Sequence, residues 1–128
     1  MDDWIPFEEG KYLAERAFLV SVDDRAVVLE NPYIEIFKGR RGGRHLRGGG
    51  LIQNILMVEL LEEHDHLDIL VDLGSGYAYR LNAPRIQAGK VFSPHVRSSL
   101  RFVPSAPWEQ LSAPEFEKQM ARLKPVSG

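Results

Sequence analysis

The segment Lys38-Gly39-Arg40-Arg41-Gly42-Gly43-Arg44-His45-Leu46-Arg47-Gly48-Gly49-Gly50 concentrates five bases and six glycines. Glycine lets a backbone approach an anion closely, and arginine presents a planar fork that matches phosphate oxygens. Lys38, Arg40, Arg41, Arg44 and Arg47 are therefore candidate ligands for nucleic acid or a phosphorylated small molecule. The spacing is neither that of a phosphate-binding loop ending in Gly-Lys-Ser/Thr nor that of a dinucleotide fingerprint. No aromatic side chain is interleaved for bases to stack on. A plainer reading of residues 38–50 is a mobile surface loop between two strands, and a third is an arm for self-association.

A second group, Tyr77, Tyr79, His95 and Arg97, could serve a small enzymatic pocket if the fold brings it together. His95 and Arg97 fall in the polar cluster Ser93-Pro94-His95-Val96-Arg97-Ser98-Ser99, which a loop satisfying its own backbone would equally explain. Glu62-Glu63-His64-Asp65-His66 invites a metal reading. Two histidines do not make a zinc site, and His45 and His95 have no spacing to recommend them, so no metal is expected. No serine context singles out a catalytic triad, which is recognised by geometry.

The string Asp68-Ile69-Leu70-Val71-Asp72-Leu73-Gly74-Ser75-Gly76 resembles the first motif of the S-adenosylmethionine-dependent methyltransferases. The resemblance implies cofactor contacts from Asp72, Gly74 and Gly76 and a helix after Gly76. In place of a helical pattern, Gly76 leads into the aromatic run Tyr77-Ala78-Tyr79-Arg80-Leu81, and the chain ends 52 residues after Gly76. Gly74 and Gly76 are accordingly read as turn residues, and no cofactor is expected.

The elements that would position these groups are mostly strands. Ala17 to Val22, Arg25 to Glu30 and Tyr33 to Phe37 read as a meander broken at Asp23-Asp24 and Asn31-Pro32. Leu67, Ile69, Val71 and Leu73 alternate with Asp68 and Asp72, which predicts a strand, and Gly74-Ser75-Gly76 turns it into a hairpin with 77–81. Residues 51–63 fit both periods, with strand favoured over helix. Ser112 with Glu115 three residues on, Pro114, and Phe116, Met120 and Leu123 at helical spacing predict a C-terminal helix. A short helix is expected over Phe7 to Arg16. Residues 82–110 hold four prolines and read as loop with one strand near Leu100 to Val103. Trp4 and Trp108, outside the predicted strands, are expected to pack terminal segments onto the sheet.

These elements add up to a single α+β domain over 1–128: an antiparallel sheet or partly open barrel of five to seven strands with a C-terminal helix. The 128 residues are 44% hydrophobic and 27% charged, which excludes a disordered chain. There is no cysteine, hence no disulfide or thiolate chemistry. No apolar run approaches the ~20 residues of a membrane span, and the acidic start is unlike a secretory signal, so the reading is a cytoplasmic protein without a membrane partner. The net charge of −2 hides blocks: six acids and no base in 51–72, five bases and no acid in 73–101. Such a mosaic suits complementary faces within one fold or between two copies. With no catalytic motif, the sequence favours a non-enzymatic module that binds a protein partner or small ligand, homodimeric through a sheet edge or the charge mosaic. Nucleic-acid or anion binding through 38–50 is the alternative, and a small-pocket enzyme is the second.

Overall fold

A computed structural model describes residues 4–63, 66–88 and 97–125. Its class is α+β, a mainly antiparallel sheet curled into a half-barrel with two helices. The strands are β1 (Gly10–Leu13), β2 (Arg16–Ser21), β3 (Arg25–Lys38), β4 (Arg44–Gln53), β5 (Leu67–Asp72), β6 (Ala78–Leu81), β7 (Arg85–Ala88), β8 (Arg97–Val103), β9 (Glu109–Leu111) and β10 (Lys124–Pro125). Helix α1 is Asn54–Glu63 and α2 is Ala113–Arg122. Ten strands among the described residues exceed the five to seven expected: β7, β9 and β10 lie in stretches read as loop or tail and β1 in one read as helix, while two expected strands merge in β3.

One bent hairpin organises the sheet. Leu13 faces Tyr33 and Ala17 faces Leu29, so β1 and β2 keep a single register along β3. Between them the Ala14 N–H donates to the Pro32 carbonyl at 2.9 Å, which carries the ladder across the gap. The Asn31-Pro32 pair, expected to end a strand, instead bends one. Pro32 has no N–H to give, Asn31 takes a left-handed φ of 50°, and a bulge falls between Glu30 and Tyr33. The second half of β3 therefore sits in a first arm ordered β7-β8-β4-β3-β1, and its first half in a second arm ordered β3-β2-β5-β6-β9.

The core lies between the arms, where Leu19, Leu29, Ile34, Ile36, Ile52 and Phe102 are buried. Burying each such side chain is worth ~1.5–3 kcal/mol. Helix α1 adds Met57 and Leu60 to this core. Residues 51–63 thus divide: 51–53 finish β4, and the strand expected beyond them is helix. Its apolar residues satisfy both periods, and the need to cover the core between β4 and β5 decides in favour of the helical one. The helix expected over Phe7 to Arg16 is absent; Gly10, at φ 149°, opens β1 instead.

The back of the second arm carries a smaller cluster, Val20, Leu70, Ala78 and Leu111, closed by Phe116 of α2. The Ser112 hydroxyl caps α2 by accepting the Glu115 N–H at 3.2 Å, as its sequence signature predicts. Leu70 is flanked along β5 by Asp68 and Asp72, and an arginine answers each. Arg80 donates to Asp68 at 2.8 Å and to the Gln119 side chain at 2.8 Å; Arg16 donates to Asp72 at 2.9 Å and to Glu117 at 2.8 Å. Two arginines from β6 and β2 thereby fasten β5 to α2. The Arg16 guanidinium, held chiefly by Asp72 and then by Glu117, has its pKa raised further.

Candidate anion-binding face

Cross-strand register fixes which side chains share the outer face of the first arm. Ile34, Ile36, Leu46, Leu100 and Phe102 point into the core, so their neighbours in sequence point out. Pairing sets Glu35 beside Arg47, Phe37 beside His45, Tyr33 beside Gly49, and Gly49 beside Arg101. Arg101 in turn pairs with Gln87, and Lys11 of β1 pairs with Glu35. The outward set thus includes Lys11, Arg47, Arg85, Arg97 and Arg101. Two acids answer them: Glu35 accepts Arg47 at 2.6 Å, and Glu30 accepts Arg97. Lys11, Arg85 and Arg101 have no carboxylate partner among the described residues. Both described helices pack elsewhere, α1 into the core and α2 on the second arm.

Aromatic rings lie among these bases. The Lys11 ammonium sits 4.5 Å from the Tyr33 ring centroid and the Arg47 guanidinium 4.4 Å from that of Phe37, while His45 stacks on Phe37 at 5.6 Å. Gly49 explains the pose of Tyr33. A Cβ added there would stand 2.5 Å from the Leu100 carbonyl oxygen and 3.0 Å from the Tyr33 hydroxyl, so the phenol lies across the strand where a side chain is missing. Beside it, Tyr33, Arg47, Gln87, Arg101 and Val103 line a trough of about 370 Å³.

The Gly/Arg segment is therefore not one loop. Only residues 39–43 form the turn; Arg44 to Gly50 belong to β4, paired with β3 and, from Gly48 on, with β8 as well, with Gly48, Gly49 and Gly50 buried. Its five bases part company. Arg47 joins the outer face and Arg40 and Arg41 sit in the exposed turn. Lys38 and Arg44 line a separate depression with Glu8 and Glu9, where Arg44 donates to the Phe7 carbonyl at 2.9 Å. The aromatics missing from the segment come from the neighbouring strand. Lys11, Tyr33, Phe37, Arg85, Gln87 and Arg101 escape a reading of contiguous motifs, although Arg97-Ser99-Arg101 already shows the alternation of a strand with one polar face.

Of the other group, the two tyrosines stay together against Phe7 and Arg97 lies apart. Tyr79 is buried on β6, stacked on Trp108 at 3.8 Å; Tyr77 is half exposed, 5.8 Å from Phe7; Arg97 stands on the outer face of the other arm; His95 lies outside the described residues. Among the described residues no cluster of three metal-ligating side chains occurs, and His64 and Asp65 fall outside them. The methyltransferase-like string ends in the β5–β6 hairpin turn, with Gly74, Ser75 and Gly76 all at positive φ and a strand in place of a helix after it.

Burial pushes the Tyr79 phenol above tyrosine's usual 10.0, with Tyr77 adding to the rise. The folded state favours the neutral phenol, so this contribution is intact below pH 10 and is lost as pH rises through the higher folded-state value, the unfolded chain ionising first. Denaturant unfolding at pH 8 and pH 11 should show the wild type losing more stability than Tyr79→Phe. Equal losses would place the alkaline sensitivity elsewhere.

Comparison of the chain with protein-family models, with curated proteins and with solved structures returns no match. No helix of the described residues is long and apolar enough to cross a membrane.

Proposed function

We propose that this protein is a non-enzymatic binding module that holds a phosphate-bearing ligand on the outer face of its first arm. The observation that carries the reading is the placement of Arg47 and Arg101 around a glycine-floored trough on a sheet face that neither described helix covers. Arginines rooted on neighbouring paired strands are better placed for phosphate than bases on a turn, because less backbone freedom is lost on binding. The anion reading of residues 38–50 is thereby moved from the loop to the strand that comes after it.

Fluorescence anisotropy with a labelled oligonucleotide tests this. Affinity should fall as salt rises, with a log–log slope of about −0.7 for each single-strand phosphate neutralised. The double variant Arg47→Ala/Arg101→Ala should lose at least about tenfold in affinity, from two charge-assisted contacts. Arg40→Ala/Arg41→Ala should lose less. The reverse ranking would return the site to the turn, and salt-insensitive binding would overturn the proposal.

A further inference from the structure

We infer that the ligand of this face is a single-stranded nucleic acid, one base of which lies in the trough against Tyr33. The inference rests on the anion-binding reading above and adds the part of the ligand that is not phosphate. A trough of about 370 Å³ is at the small end of ligand pockets, roughly 300–1,000 Å³, which suits one nucleotide at a time.

Its walls differ in chemistry in the way a nucleotide does. Tyr33 offers a ring laid across the sheet at Gly49, a surface for a planar apolar partner. Arg47 and Arg101 offer forks for the flanking phosphates, and the exposed Gln87 amide has both a donor and an acceptor for a base edge. Lys11, over the Tyr33 ring at 4.5 Å, has a stem long enough to swing to a phosphate when a base takes its place. Phe37 lies four residues further along β3 on the same face, ~13 Å away at strand rise, with Arg47 above it. Two ring platforms in line, each attended by a cation, define a track along β3 for an extended strand. A duplex hides its base faces within its own stack and leaves nothing for the Tyr33 ring to stack on. A plain polyanion has nothing for Tyr33 to hold.

The test compares three probes by anisotropy and competition: a labelled single-stranded oligonucleotide, the duplex of the same sequence, and inorganic polyphosphate. The single strand should bind tightest, with RNA and DNA versions separating a sugar preference from base stacking. Tyr33→Leu should weaken single-strand binding roughly five- to hundredfold, the usual range for one base–aromatic stack, and leave polyphosphate binding unchanged. Tyr33→Phe should retain the wild-type affinity, and its folding guards against a merely structural effect. If polyphosphate competes as well as the oligonucleotide and Tyr33→Leu changes nothing, the inference falls while the anionic face stands. A Tyr33→Leu loss shared by polyphosphate, or tighter binding of the duplex, also overturns it. If neither the oligonucleotide nor polyphosphate binds, the proposed face falls and the inference with it.

Discussion

Trp108→Ala should cost roughly 3–5 kcal/mol of unfolding free energy, the range for truncating a large aromatic side chain in a core. A domain of this kind has ~5–15 kcal/mol in all, so the loss is a large share of the total and should lower the melting point by many degrees. Trp108 is only 9% exposed, stacks on Tyr79 at 3.8 Å, and meets Phe7 and Trp4 edge-on at 6.0 and 5.4 Å. Its removal also unseats the segment before β1, which packs on the core through Trp4, Ile5 and Phe7. Trp4 would remain as the single indole, so urea unfolding and the emission of Trp4 report the two effects separately. A loss under about 1 kcal/mol with unshifted emission would mean that this aromatic cluster does not hold the N-terminal segment.

A methyl group added at residue 48 should be nearly as damaging as that truncation is at 108. In Gly48→Ala the new Cβ would stand 2.7 Å from the Tyr33 carbonyl oxygen and run into the ring of Phe102, which is 1% exposed. Overpacking of this kind costs ~1–3 kcal/mol, and the backbone contact puts this site at the upper end. Gly43→Ala, five residues earlier in the exposed turn, meets nothing within 4 Å and should be close to neutral. Thermal melts of the two variants decide whether the glycines are interchangeable. Equal melting points would mean that the whole Gly/Arg segment behaves as a loose loop; a drop of several degrees confined to Gly48→Ala places it inside the sheet.

That contrast also shows where sequence reading failed. Three consecutive glycines read as loop because the residues that require their smallness, Phe102 for Gly48 and Leu100 with Tyr33 for Gly49, are distant in the chain. The Asn31-Pro32 bend was illegible for a related reason. Locally it is a strand terminator, and only the continued register of β1 with β3 makes it a fold in one long strand. Signals confined to a few neighbouring residues did survive: the Ser112 cap of α2, the glycine turn between β5 and β6, and the alternation of Ile69 and Val71 with Asp68 and Asp72. The candidate face belongs to the illegible kind. Its bases come from β1, β4, β7 and β8 and its rings from β3, and the side that each occupies is set by pairing that no single strand reveals.

Since β3 contributes its first half to one arm and its second half to the other, neither arm owns a complete set of hydrogen-bonded strands. Loss of α2 would uncover Val20 of β2 and Leu70 of β5, and β2 shares its ladder with β3, on which Tyr33 and Phe37 stand. Both clusters of buried side chains thus draw on one strand, Ala26 of β3 lying in the smaller and Leu29, Ile34 and Ile36 in the larger. A ligand that holds β3 on the outer face should therefore slow amide exchange in α2 to the extent that the helix opens together with that strand.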